Sequence, residues 1–155
     1  MSLADRIVVM ADGEIRQIGT PSEVYNTPTD LFVANFVGSP GMNLLTGKIV
    51  QADQNVVFTN DEADTHIPLS HPLEPAPAIL GIRPEFIRPS TTGLQARVML
   101  SEYQGSHRYV HLDSPLGNLI MRTEAALHFN AKETLCLQFD PEHICLFNPQ
   151  TERAF

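Results

Sequence analysis

Phe36 to Leu45, FVGSPGMNLL, is the stretch on which the reading of this chain turns. Gly38, Pro40 and Gly41 stand within four positions, and crowding of the two strongest chain punctuators marks a break between structural units. An ordinary loop has the same local composition, so the flanks must decide. Before the break, residues 3 to 19 (LADRIVVMADGEIRQIG) carry two apolar runs around Asp12-Gly13, a dipeptide suited to the positive φ of a hairpin turn. Thr20-Pro21-Ser22-Glu23 then predicts a helix start, with Thr20 as cap, Pro21 in the first helical position and Glu23 closing a capping box. Asn26-Thr27-Pro28 interrupts it. A second start at Thr29-Asp30 leads apolar positions at helical spacing from Leu31 to Phe36, and Gly38 ends it. The first 38 residues therefore read β-β-α-α. Two strands and two short helices lack a third layer to cover their faces, so this piece reads as the end of a larger domain.

After the break the pattern becomes short runs of period two. Leu45 to Val50 and Asn55 to Thr59 predict a strand pair across Ala52-Asp53-Gln54, with a third short strand at Thr65 to Leu69. Ser70 to Pro77, SHPLEPAP, holds three prolines and predicts an irregular connection or edge. Ala78 to Arg83 is a strand entering Pro84, and Phe86-Ile87-Arg88 resumes an extended run. Leu94 to Glu102, Arg108 to Leu112, Leu119 to Arg122, Leu135 to Phe139 and Ile144 to Phe147 complete the set. Strands this short with such frequent turn signals favour a small barrel or sandwich. IRPEFIRP from Ile82 and FDPEHICL from Phe139 echo one another, as two half-barrels each ending in the same turn would.

A chain of 155 residues supports one domain with a real core, burying roughly 68–70% of its unfolded surface. No apolar run approaches a membrane span and no basic region precedes a long apolar one near the N-terminus, so a soluble cytoplasmic chain is expected. The two cysteines, Cys136 and Cys145, lie in apolar runs and read as reduced, buried thiols on neighbouring strands. A formal charge of -8 with ten scattered basic residues opposes nucleic-acid binding and leaves a protein partner or a neutral ligand.

Catalytic motifs are missing. No GxxxxGK[ST] loop offers backbone amides and a lysine to nucleotide phosphates, and neither GxSxG nor HExxH occurs. The six histidines are spread along the chain. His107 and His111 share one strand face but stand about 13 Å apart, too far to hold one metal. No catalytic residue, cofactor or metal ligand is expected in the chain itself.

With these residues in view, LADRIVVMADGEIRQIGTPSEVYNTPTDLFVANFVGSPGMNLL resembles the end of the nucleotide-binding domain and the linker of ATP-binding-cassette importer ATPases of the carbohydrate-importer group, such as the maltose importer's ATPase. GIRPE at Gly81 to Glu85 and FDPEHICLFNPQT at Phe139 to Thr151 resemble the two signature turns of the regulatory domain that follows, an OB-fold-like antiparallel β-barrel of the TOBE type. The resemblance implies a mainly β chain in three parts: a β-β-α-α remnant of the ATPase domain over 1–38, a linker over 39–43 and the TOBE/OB-like domain over 44–155. It implies a regulatory and dimerisation role without ATP hydrolysis by this segment, whose phosphate loop, magnesium-binding aspartate and bound ATP would belong to the parent ATPase domain. Implied partners are a second copy of the chain, permease subunits reached through the parent domain on the inner membrane face, and in some members an inhibitory regulator protein. On this basis Gly38, Ser39, Pro40, Gly41, Met42 and Asn43 are the hinge, with a passive linker as the bland alternative. Arg83, Glu85, Asp140 and Glu142 sit in turns whose charges could pair across the barrel or touch the twin subunit, and Tyr103 and Tyr109 flank an exposed loop around Gly105 suited to a partner. The competing class is an OB-type module that binds an oxyanion or nucleic acid.

Overall fold

The computed structural model describes residues 5–52, 55–60, 66–70 and 72–155. The turn positions Asp53 and Gln54, the strand start at Thr65 and the side chain of His71 lie outside them. Strands β1 (Ile7–Ala11) and β2 (Glu14–Gly19) form the hairpin, turning through Asp12 at φ 52° and Gly13 at φ 80°. Helix α1 (Pro21–Asn26) starts on Thr20, whose hydroxyl accepts from the Glu23 backbone N–H while the Glu23 carboxylate accepts from the Thr20 N–H at 2.7 Å. Helix α2 (Leu31–Phe36) is capped by Asp30, which accepts from the Val33 N–H at 2.9 Å. Val9, Val24 and Val33 make a small core inside this leading piece.

The rest is β-structure: β3 (Asn43–Ala52), β4 (Asn55–Thr59), β5 (Ile67–Pro68), β6 (Ala76–Ile82), β7 (Ile87–Ser90), β8 (Leu94–Tyr103), β9 (His107–Ser114), β10 (Gly117–Glu124), β11 (Thr134–Phe139) and β12 (Cys145–Phe147). They pair in two five-stranded sheets, ordered β12-β6-β3-β4-β5 and β10-β9-β8-β11-β7, all antiparallel. Alternate residues point inward, as period two requires. Leu45, Phe58, Leu80, Ile82, Leu94, Val110, Leu112, Leu119, Met121 and Leu137 from both sheets fill one core.

The chain crosses between the sheets twice by the same device. From β6 it passes through a 3₁₀ turn, Pro84–Phe86, into β7; from β11 it passes through a second, Pro141–His143, into β12. β6 pairs with β12 and β7 with β11, so the two crossings stand back to back. Phe86 and His143, equivalent positions of the sequence echo, stack on each other at 3.6 Å between ring centroids. The echo therefore has a structural basis in two similar halves meeting at their turns. Phe86 itself belongs to the first turn rather than to the extended run expected there. The cysteines also differ from expectation. Both are free and half-buried, but Cys136 on β11 and Cys145 on β12 lie in separate sheets, because the crossing carries the chain from one to the other.

Candidate functional site

The predicted hinge and the Arg83 turn come together where the leading piece meets the barrel. Arg83 directly follows β6 and precedes the first 3₁₀ turn, is 1% exposed, and reaches out of the barrel toward both helices. Its guanidinium makes four hydrogen bonds to three main-chain carbonyls: two to Tyr25, at 2.8 and 3.3 Å, one to Ala34 at 3.1 Å and one to Val37. These carbonyls belong to the last turns of α1 and α2, where a helix leaves its acceptors unpaired and its dipole favours a cation. Neither helix has a basic residue of its own in that turn. Arg83 thus caps two helices from a distant strand. Arg83 does not pair across the barrel as expected: four of its five N–H donors go to main-chain carbonyls, which its planar fork matches better than one lysine would.

Tyr25 completes the clamp. Its ring lies 4.1 Å from the Arg83 guanidinium carbon, and its hydroxyl donates to Glu85 at 2.6 Å. Burial, with the Glu85 carboxylate beside it, pushes the phenol up to about 12. Burial pulls Arg83 down from its ordinary value, and burial pushes the Cys145 thiol up against the pull of Arg83. Cys145 donates to the Asn26 carbonyl at 3.4 Å, another end of α1. The folded state favours the protonated phenol of Tyr25, so its contribution is complete below pH 10 and is lost as pH rises toward about 12. An ultraviolet titration of the three tyrosines is expected to show one ionising at about pH 12, absent in Tyr25→Phe. A titration without any transition near pH 12 would contradict the clamp geometry.

The hinge residues take separate roles. Gly38 adopts φ +115°, and a β-carbon there would fall 2.9 Å from an Arg83 nitrogen, so the close approach needs glycine. The Ser39-Pro40 bond is cis, and the Ser39 carbonyl accepts from the Tyr109 hydroxyl at 3.1 Å. A β-carbon on Gly41 would meet the Asn35 carbonyl at 2.9 Å. Met42 is buried with Ala34 and Phe147, which seats α2 on β12. Asn43, 8% exposed, donates to the Ile120 carbonyl at 2.9 Å and the Ile82 carbonyl at 3.2 Å and accepts from the Ile120 N–H at 2.7 Å. Its amide thereby imitates a strand pair between β3 and β10, which lie in different sheets, and closes the barrel at this end.

The other predicted contact residues stay apart. Glu142 is exposed, Asp140 caps its own turn and sits 3.1 Å from His143, and Tyr103 is 64% exposed under the Arg108 guanidinium at the β8–β9 hairpin. Two elements went unread in the sequence. Tyr25 looks like a helix filler, and only its place opposite Arg83 gives it meaning. The tail after β12 returns to the leading piece: the Leu31 N–H donates to Glu152 and the Ala154 N–H to Thr29, both at 3.0 Å, while Phe155 donates to Leu146. Among the described residues no group of three or more His, Cys, Asp or Glu is placed to hold a metal ion, and no helix is long and apolar enough to cross a membrane.

The site sits at the seam of two matched families. Residues 38–87 match the MalK OB fold domain and residues 80–147 match the TOBE domain. Relatives include the ABC transporter ATP-binding protein YurJ of Bacillus subtilis, 36% identical over 99% of this chain and 46% of its own length. The sulfoquinovosyl glycerol transport ATP-binding protein SmoE of Agrobacterium fabrum is 36% identical over 99% of this chain and 44% of its own. The sn-glycerol-3-phosphate import ATP-binding protein UgpC of Psychromonas ingrahamii is 31% identical over 99% and 42%. The chain spans less than half the length of these relatives. The chain thus matches the TOBE and MalK-type OB domains, and the relatives it is similar to along nearly its whole length are ABC transporter ATP-binding proteins.

Proposed function

We propose that this chain is the regulatory and dimerisation module of the ATP-binding subunit of a transporter that imports a sugar or sugar-like solute. The observation that carries the reading is the Arg83 clamp: a barrel fixed to the ends of α1 and α2 moves with the leading piece as one body. The leading piece agrees with an ATPase-domain remnant over residues 1–38, because Val8, Met10, Ile15 and Phe36 remain half-exposed or more on its open side. Residues 39–43 then serve as the linker and 44–155 as the regulatory domain. The names of SmoE and UgpC point to sugar-like cargo. ATP and magnesium would bind in the catalytic part of the whole protein, at the inner membrane face against permease subunits. Two copies pairing through their barrels would hold one another while the catalytic parts open and close, and a regulator protein could bias that motion. Exposed Tyr103 and Glu142, with Glu85 and Asp140 at their turns, are the contact positions to test first; buried Arg83 and linker-bound Tyr109 act within the chain.

Light scattering across a concentration series tests this directly. The expected result is a dimer with micromolar or tighter affinity that weakens by about tenfold or more when Tyr103 and Glu142 are both replaced by alanine. A strict monomer would remove the dimerisation role from this module.

A further inference from the structure

Behind β12 the chain turns on Asn148, whose side chain accepts from the Gln150 N–H at 2.8 Å and the Thr151 N–H at 3.1 Å, and then comes back past β12. The returning backbone lies between two other pieces of chain and serves them alternately, as a middle strand does. Glu152 and Ala154 face the α1–α2 corner, where their carbonyl and N–H bond to Leu31 and Thr29. Arg153 and Phe155 face the barrel: the Asn148 N–H donates to the Arg153 carbonyl at 2.8 Å and the Phe155 N–H to the Leu146 carbonyl at 3.0 Å. The pairs Asp30–Arg153 and Phe147–Ala154 are both antiparallel.

The corner gripped in this way is tied on to the hairpin. Gln17 of β2, 9% exposed, donates to the Thr27 carbonyl at 3.1 Å and accepts from the Thr29 N–H at 3.0 Å. A buried amide satisfied on both sides is a stiff link. Barrel, tail, corner and hairpin thus form one chain of contacts, joined at the end of α2 opposite the Arg83 clamp.

The two joints differ in strength. Arg83 is buried and bonds with a charged fork, whereas every residue from Thr151 to Phe155 is exposed. Among the described residues no side chain of Glu152 to Phe155 makes a hydrogen bond or ion pair to either flank, so the polar hold on the tail is main-chain only. A hollow of about 470 Å³ with Glu14, Arg16, Phe32, Thr151 and Arg153 in its walls lies between tail and hairpin and admits water from that side. Glu152 stands at φ 59°, in the left-handed region that a residue with a β-carbon enters at a cost. Exposed pairing held under such strain opens with a smaller free energy than a core strand does.

We propose that Glu152 to Phe155 form a releasable strap that sets how firmly the hairpin and the α1–α2 corner are held to the barrel. Paired, the strap grips α2 at its N-terminal end while Arg83 grips the other. Displaced, it leaves the first N–H of α2 to water and the leading piece held from the Arg83 end, able to tilt about it. The device needs no second copy: a monomer with a working strap would remove the dimerisation role and keep this one, and a dimer whose strap never opens would do the reverse.

Amide exchange of the whole chain, followed by NMR, tests it. The Leu31 and Ala154 amides are expected to exchange at least about 100-fold faster than those of Val110 and Leu112 on the inner strand β9, since the strap opens without the core. Ala154→Pro removes the donor to Thr29 and leaves both bonds to the barrel. Leu31 exchange is expected to rise about tenfold or more in this variant, with shifts at the Gln17 and Thr29 amides and no change at Val110. Glu152→Gly relieves the left-handed backbone and is expected to slow Leu31 exchange about threefold or more. Opposite signs distinguish a strap from a tail merely damaged by substitution. Leu31 and Val110 exchanging together in the parent, Leu31 exchange unchanged in Ala154→Pro, or Val110 exchange rising in step with it would each overturn the proposal.

Discussion

Replacing Arg83 with methionine is expected to lower the stability of the chain by about 3–5 kcal/mol, the range for removing one member of a buried charged network. Methionine keeps the length and apolar stem of the side chain, so packing changes little. What is lost is the donor set. The carbonyls of Tyr25, Ala34 and Val37 are then left at the seam without partners, at about 1–3 kcal/mol for each that stays dry. The sum is capped, because once the leading piece lifts away water satisfies all three. Denaturant unfolding should therefore split into an early release of residues before the hinge and a later loss of the barrel. Limited proteolysis should cut the variant, and not the parent, around Gly38 to Gly41. Arg83→Lys should recover only part of the loss, since an ammonium has no fork to span carbonyls from two helices. A methionine variant with one unchanged transition and a resistant linker would refute the clamp.

Asn43→Leu is expected to cost about 2–4 kcal/mol and to act on the barrel. The substitution is close in size but strands the N–H and carbonyl of Ile120 and removes a donor from Ile82. Here water cannot enter without parting β3 from β10, so the loss should appear in a single cooperative transition shifted to lower denaturant. Asn43→Asp should not rescue it, because a carboxylate accepts from the Ile120 N–H but turns its second oxygen on a carbonyl. Equal stability of Asn43→Leu and parent would mean that the amide is not what closes this end.

Most of the architecture could be read from local chemistry because its signals are local. Asp12-Gly13, the Thr20 to Glu23 capping box and the Asp30 cap each act within a few residues, and each forms as expected. The strands follow from period two and from their bounding turns. The site was legible only in outline. Its hinge glycines and the Arg83 turn stand out as residues, but the partners of Arg83 lie on helices far earlier in the chain, and nothing in the sequence says that a guanidinium will choose carbonyls over carboxylates. The separation of Cys136 from Cys145 went unseen for a similar reason: two runs close in sequence are sent to different sheets by a three-residue turn. The tail over Glu152 to Phe155 carries no periodicity, so its return to Thr29 and Leu31 could be found only in three dimensions.

The pairing of β12 with β6 has a bearing on how the protein is made. β12, the strand that covers β6, leaves the ribosome only after β7 to β11 have been made, and the tail behind it is what fastens Thr29 and Leu31. Until then β6 offers an open edge, and the leading piece waits with its apolar faces uncovered. The interval between the synthesis of β6 and that of β12 is therefore when the nascent chain carries an unpaired edge and chaperones have most to guard.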